Sequence, residues 1–203
     1  MEFKNFTYLI LLIVSLSVPL VQSFYKTKQY SKKIKYIIPA ILITAAFFIL
    51  WDINFTQAKI WSFNTEYTIG KNLRGLPIEE WLFFLVVPYC CIFVYEIVKV
   101  DLEKYEYPNF FLIISLILVV GFALISYFFR HQSYTFLAFL FPSIYLGYTV
   151  FRNQFKHHIT KFYFCYFFSL IPLLIVYGTL ASLPLVEYNP SHILNIRIIN
   201  IPI

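Results

Sequence analysis

The sequence predicts an all-α integral membrane protein with six transmembrane helices. Three observations carry this. Of 203 residues, 60% are hydrophobic and only 13% are charged, whereas a soluble domain uses about 25% charged residues to cover its surface. The apolar residues gather in six runs, each near the roughly 20 residues that a spanning helix needs. The Lys and Arg residues behind the net charge of +6 sit in short connections between those runs, not in one basic patch. With a mean hydropathy of +0.73, lipid is the solvent for most of the chain. A cytosolic enzyme, a nucleic-acid-binding domain and a disordered segment are excluded.

The runs follow in order. Asn5 to Tyr25 lies between Lys4 and Lys26, and Tyr36 to Trp51 between Lys35 and Asp52. The second run reaches spanning length if Asp52 to Phe55 continue it. Leu76 to Val98 is apolar apart from Glu79, Glu80 and Glu96. Tyr107 to Phe129, His131 to Phe151 and Phe162 to Val186 complete the set. None has the alternation of barrel strands, so backbone groups in hydrocarbon are bonded within helices. The first run reads as a helix and not a cleaved signal peptide. Val21-Gln22-Ser23 is only a faint cleavage site, and the run exceeds the usual core of about 7–15 residues.

Orientation follows from the loops. Lys26, Lys28, Lys32, Lys33, Lys35, Lys99, Lys104, Arg152, Lys156 and Lys161 fall on one side, ten cations in all. The other side has six: Lys4, Lys59, Lys71, Arg74, Arg130 and Arg197. The positive-inside bias then makes loops 26–35, 99–106 and 152–161 cytoplasmic and the N-terminus external, with the cell (inner) membrane as the location. Cys90, Cys91 and Cys165 lie within runs, are odd in number and lack CxxC spacing, so they read as packing thiols. His131, His157, His158 and His192 read as loop residues without metal-ligand spacing. Glu96 reads as a snorkelling end residue near Lys99.

Trp51 to Glu96 is the informative stretch. Asp52 closes the second helix, and Leu76-Pro77-Ile78-Glu79-Glu80-Trp81 opens the third. Antiparallel neighbours bring these ends together, so Asp52, Arg74, Glu79 and Glu80 are expected at one end of a hairpin, with Arg74 able to pair with one of the acids. Proline suits a first helical turn and acids favour the positive end of the helix dipole, which needs no function. Against this, acids at the edge of an apolar span are costly and often functional. Glu79 and Glu80 differ by about 100° around a helix, so one is expected to face the bundle while the other reaches the headgroups. Trp51, Trp61, Phe63, Tyr67, Trp81, Phe83 and Phe84 surround the cluster. They read either as interfacial anchors or as an aromatic wall facing a developing cation. No phosphate loop, dinucleotide fingerprint or DxxxD-type Mg²⁺ pair appears, so no cofactor and no metal is expected.

The chain also repeats itself weakly. Asn64 precedes Pro77 by 13 positions, and Asn189 precedes Pro202 by 13. Leu76-Pro77-Ile78 matches Ile201-Pro202-Ile203, and Pro19 and Pro142 sit at comparable depths. The layout reads as one membrane domain, 1–203: a three-helix repeat (1–106), a linking helix (107–130) and a second, parallel repeat (131–203). In the first copy the next residues are Glu79 and Glu80. The second copy stops at Ile203, so a second acid pair and a seventh helix are missing, and the chain reads as interrupted there.

Trp51-Asp52, Trp61-x-Phe63-Asn64, Gly70 and Leu76-Pro77-Ile78-Glu79-Glu80-Trp81-Leu82-Phe83-Phe84, followed by Pro88, resemble the membrane-embedded lycopene cyclase domain. This is the flavin-free β-cyclase type, found as two small subunits or one fused chain. The resemblance covers nearly the whole chain, and Asn195-Ile196-Arg197 with Ile201-Pro202-Ile203 resembles the start of the family's second motif. It implies an intramolecular lyase, an isomerase of carotenoid biosynthesis. A linear carotenoid end is protonated at its terminal double bond, the next double bond attacks the cation, and proton loss gives the β-ring. No redox change occurs, so no electron-carrying cofactor is required. The acid motif carries over onto Glu79 and Glu80 as catalytic residues, one of them the general acid, with the choice left open. The other, or Asp52, holds charge or takes the final proton. Trp51, Trp61, Asn64, Arg74, Pro77 and Trp81 are the supporting residues. The implied partners are the lipid bilayer, a hydrophobic carotenoid, and a second cyclase half or a homo-oligomer. Two rival readings stand beside this one: a half-site subunit that needs a partner, and a small transporter or lipid-binding membrane protein.

Overall fold

The structure is a computed structural model that describes residues 3–25, 28–101, 106–152, 158–194, 196–198 and 201–202. His157 lies outside the described residues. Six helices form: α1 (Thr7–Tyr25), α2 (Lys28–Gln57), α3 (Ile78–Asp101), α4 (Pro108–Phe128), α5 (Ser133–Phe151) and α6 (Ile159–Ser182). All six are long and apolar enough to cross a membrane. Several boundaries differ from the sequence reading: α2 begins at Lys28 and not at Tyr36, α3 at Ile78 and not at Leu76, and α6 at Ile159 and not at Phe162. Helix α2 runs past Trp51 to Gln57, so Asp52 lies within its last turns instead of closing it. Helix α6 stops at Ser182 and not at Val186. Pro184 has no N–H to donate and restricts the residue before it, and Val186 starts a strand.

Short strands decorate one end of the bundle: β1 (Trp61–Phe63), β2 (Asn72–Leu73), β3 (Leu76–Pro77), β4 (Val186–Tyr188), β5 (Arg197–Ile198) and β6 (Ile201–Pro202). Three-residue strands carry too little periodicity to be read from sequence. Strands β2 and β3 form a tight hairpin. Its turn residues Arg74 and Gly75 both have positive φ, 54° and 87°, as a type I′ turn requires.

Helix α3 is central and packs on α1, α2 and α6, while α4 and α5 form a close pair and α4 also touches α6. Without a hydrophobic force between helices in lipid, small residues and polar bonds set such contacts. Between α4 and α5, a side chain at Gly147 would begin 3.7 Å from Val119. One turn away, the Ser143 hydroxyl donates to the Val119 carbonyl at 3.0 Å. Proline inside a membrane helix frees a carbonyl four residues earlier, which a neighbour then satisfies. Pro19 in α1 leaves the Ser15 carbonyl free, and the Cys90 thiol of α3 approaches it at 3.5 Å. The other end of the bundle is tied by Lys33 of α2, whose Nζ lies 2.5 Å from Glu96 Oε2 of α3. Glu96 therefore has a defined partner across helices instead of snorkelling beside Lys99.

Strands β1 and β4 pair antiparallel, with Trp61 opposite Tyr188, Ser62 opposite Glu187 and Phe63 opposite Val186. The pairing is extended reciprocally. The Asn64 N–H donates to the Leu185 carbonyl at 2.8 Å, and the Asn189 N–H donates to the Ile60 carbonyl at 2.9 Å. Each element here recurs 125 positions later: β1 as β4, β2 as β5, and β3 as β6. The central pair, Ser62 and Glu187, joins equivalent positions. Asn64 and Asn189 each cap a 3₁₀ turn through the side-chain oxygen, accepting from the Glu66 N–H at 3.0 Å and the Ser191 N–H at 3.1 Å. Antiparallel pairing of equivalent positions gives this strand pair a local two-fold axis.

Two buried clusters hold this end together. Tyr8, Leu12, Phe83 and Leu185 form one, and Ala45, Ile49, Ile53 and Leu76 the other. Leu185 is 0% exposed and joins the second half of the chain to α1 and α3. Leu185→Ala is expected to cost about 2–4 kcal/mol through the cavity it leaves, read as a lowered melting temperature in detergent micelles with helix content retained.

Candidate active site

Three carboxylates are buried where α2 and α3 meet the strand-bearing end. Asp52 is 2% exposed, Glu79 0% and Glu80 6%. Each buried carboxylate needs hydrogen bonds, because leaving a charged or polar group unpaired in apolar surroundings is costly.

Asp52 takes its bonds from the loop after its own helix. The Trp61 indole N–H donates to Oδ1 at 2.7 Å and also lies 3.0 Å from the Thr56 hydroxyl. The Thr56 hydroxyl in turn sits 3.4 Å from Oδ1. The second oxygen, Oδ2, is buried with no partner among the described residues. Glu80 is held from α1, where the Tyr8 hydroxyl donates to Oε2 at 2.6 Å. Glu79 points elsewhere. Its Oε1 accepts the Ile69 backbone N–H at 2.6 Å, which latches the 64–77 loop onto the start of α3. Neither glutamate reaches the protein surface, because the loop folds back over the helix start.

Asp52 and Glu80 line one cavity of about 310 Å³. Phe48 and Trp51 of α2, Phe83 and Phe84 of α3, and Tyr134 and Ala138 of α5 form its walls. Trp61, Phe63, Val186 and Tyr188 form its roof. The burial alternation of β1 and β4 explains the roof: Ser62 and Glu187 are exposed, and their neighbours turn inward. Burial raises the pKa of the Tyr188 phenol well above its ordinary range, and Tyr134, Glu80 and Asp52 add to this while Arg197 opposes it. Tyr188 is therefore a neutral hydroxyl at physiological pH.

The residues singled out from sequence divide accordingly. Trp51, Asp52, Trp61 and Glu80 meet at the cavity. Trp81 packs against the cluster of Ala45, Ile49, Ile53 and Leu76, and its indole N–H is buried without a partner among the described residues. Asn64 and Pro77 shape the loop through the cap and the β3 pairing. Arg74 is exposed at the hairpin turn and does not join the acids. Sequence reasoning missed Tyr8, Tyr134 and Tyr188. Tyr188 was open to discovery, since it stands 125 positions after Phe63, itself singled out. Tyr8 and Tyr134 carry no local sign, because only helix packing brings them to the carboxylates.

Fold and site together define a membrane-embedded protein with paired acids in an aromatic, apolar cavity. The family model described as "Lycopene cyclase" matches residues 5–98 and 131–203, so the chain belongs to the lycopene cyclase family. It is thus a carotenoid cyclase in general terms, with a hydrophobic substrate and lipid around its helices. No curated protein and no solved structure matches it.

Glu79→Ala removes the loop latch and not the cavity lining. The Ile69 amide is expected to exchange with deuterium at least about tenfold faster, the equivalent of losing a bond to a charged group of roughly 1.5–3 kcal/mol, as read by hydrogen-exchange mass spectrometry.

Proposed function

We propose that the chain forms β-rings by acid-catalysed, non-redox cyclisation of a linear carotenoid end, with Glu80 as the general acid. The observation that carries this reading is the placement of Glu80 and Asp52 on one apolar cavity, while Glu79 is spent on the loop. Protonation of the terminal double bond by Glu80 creates a tertiary cation. The next double bond forms the ring bond to that carbon, and the charge moves one carbon along the attacking bond. Proton loss from the newly bonded carbon then gives the ring double bond. Asp52 fits the role of counter-charge and final base. The Trp61 and Thr56 bonds engage Oδ1 and leave Oδ2 without a partner among the described residues. Tyr8 fixes Glu80 through Oε2, which favours Oε1 as the proton-bearing atom. The aromatic lining suits a cation, whose attraction to a ring face is worth about 0.5–2 kcal/mol per contact.

The recurrence at 125 positions supports reading 1–106 and 131–203 as parallel repeats joined by 107–130. The loop charges support a cytoplasmic placement of 26–35, 99–106 and 152–161 in the cell membrane.

Expression in lycopene-accumulating cells tests the assignment. Glu80→Gln is expected to lower ring formation by about 10²–10⁴-fold, the usual worth of a general acid, with protein level in the membrane unchanged. Glu79→Gln is expected to retain clearly more product than Glu80→Gln. Equal loss in both variants, or full activity in Glu80→Gln, overturns the choice of acid. Persistence of unreacted substrate with well-folded wild-type protein, reversed by a partner carrying the second acid motif, moves the chain to the half-site reading.

A further inference from the structure

Three aromatic rings from three elements meet over the carboxylates. Trp61 of β1 lies 6.1 Å from Tyr188 of β4 and 5.9 Å from Tyr134 of α5, centroid to centroid. Tyr134 and Tyr188 close the triangle at 5.6 Å. All three rings line the cavity that holds Asp52 and Glu80. On the other face of the same two strands, Ser62 and Glu187 are exposed. On this side one strand layer separates the carboxylates from the outside, and the ring triangle lies on its inner face. Trp61 is also tied to Asp52 by its indole N–H at 2.7 Å, which holds its ring against the acid.

We infer that Trp61, Tyr134 and Tyr188 form a water seal that decides the fate of the cation: ring closure when intact, hydration when breached. This rests on the cyclase reading. A tertiary cation reacts with whichever nucleophile reaches it first, and excluding water from a reactive intermediate is a recognised role of a closed site. With the seal in place, the nearest electron pair is the next double bond of the same substrate. With a ring removed, a water lone pair forms a C–O bond to the cationic carbon. The resulting oxonium gives its proton to the Asp52 carboxylate. The net change is addition of H₂O across the terminal double bond, giving a tertiary alcohol without oxidation or reduction. The second half of the chain thus sets product identity through two tyrosines, while the first half supplies the acids.

The test uses the full chain in lipid nanodiscs with lycopene as the linear carotenoid, in buffer made with H₂¹⁸O. Wild-type protein is expected to give ring product with only trace alcohol. Tyr188→Ala and Tyr134→Ala are each expected to raise the alcohol-to-ring ratio by about tenfold or more, with ¹⁸O in the alcohol by mass spectrometry. Tyr188→Phe, which keeps the ring, is expected to hold the wild-type ratio. The two Ala variants sit on different elements, so either one reports if the other does not fold. Wild-type cyclisation with clean ring product from a folded Ala variant overturns the seal alone. Complete loss of turnover in folded Ala variants overturns it too, because the rings then serve the chemistry directly. No conversion by wild-type protein, alone or with a partner carrying the second acid motif, removes the cyclase reading itself and the seal with it.

Discussion

The pairing of Trp61–Phe63 with Val186–Tyr188 is the interaction on which the rest of this structure depends. It is only three residues long on each side. Yet it joins segments far apart in the chain, and it roofs the cavity whose walls come from α2, α3 and α5. Reciprocal backbone bonds at Asn64 and Asn189 extend it at both ends. Equivalent positions pair, and the burial alternation of both strands fixes the register. A slip of one residue would turn Trp61 and Tyr188 outward and bring Ser62 and Glu187 over the carboxylates.

Below that roof, burial in an apolar environment forces each acid to be defined by what donates to it. Glu79, Glu80 and Asp52 have similar exposure but different partners: a backbone amide, a phenol and an indole. These partners separate a structural latch from two groups that face the cavity. Sequence neighbours, Glu79 and Glu80 part company because the helix turns by about 100° per residue. One side of α3 meets the folded-back loop, and the other meets α1 and the cavity. Local symmetry does not extend to chemistry. The first half brings the carboxylates, and the second brings Tyr134, Tyr188 and the apolar residues beside them.

Much of the architecture was legible in the chain. Six apolar runs of spanning length leave few alternatives, since only helices and closed barrels satisfy backbone groups in lipid. The equal spacing of Asn64 to Pro77 and Asn189 to Pro202 corresponds to the recurrence of the short strands 125 positions on. The strands were not legible, because two or three residues cannot express a period. The end of α6 was misplaced, since hydropathy continues smoothly through Leu185 and Val186 where the backbone does not. Arg74 looked like a partner for the acids because charge is scarce here. Its position at the positive-φ turn sends it outward instead.

By itself the sequence determined the solvent, the number of helices, the duplicated loop motif and the identity of the acids worth watching. These follow from composition and local spacing, which do not depend on how helices pack. Only the tertiary structure decided which acid faces the cavity, which one holds the loop, and that Tyr8, Tyr134 and Tyr188 complete the site. The physical reason is distance along the chain. Tyr8 reaches Glu80 across 72 positions, and Tyr188 meets Trp61 only because two strands from opposite halves share a ladder. No local pattern encodes contacts of that range. They exist because carboxylates and backbone edges at the border of an apolar bundle must find partners, and the nearest ones belong to other helices.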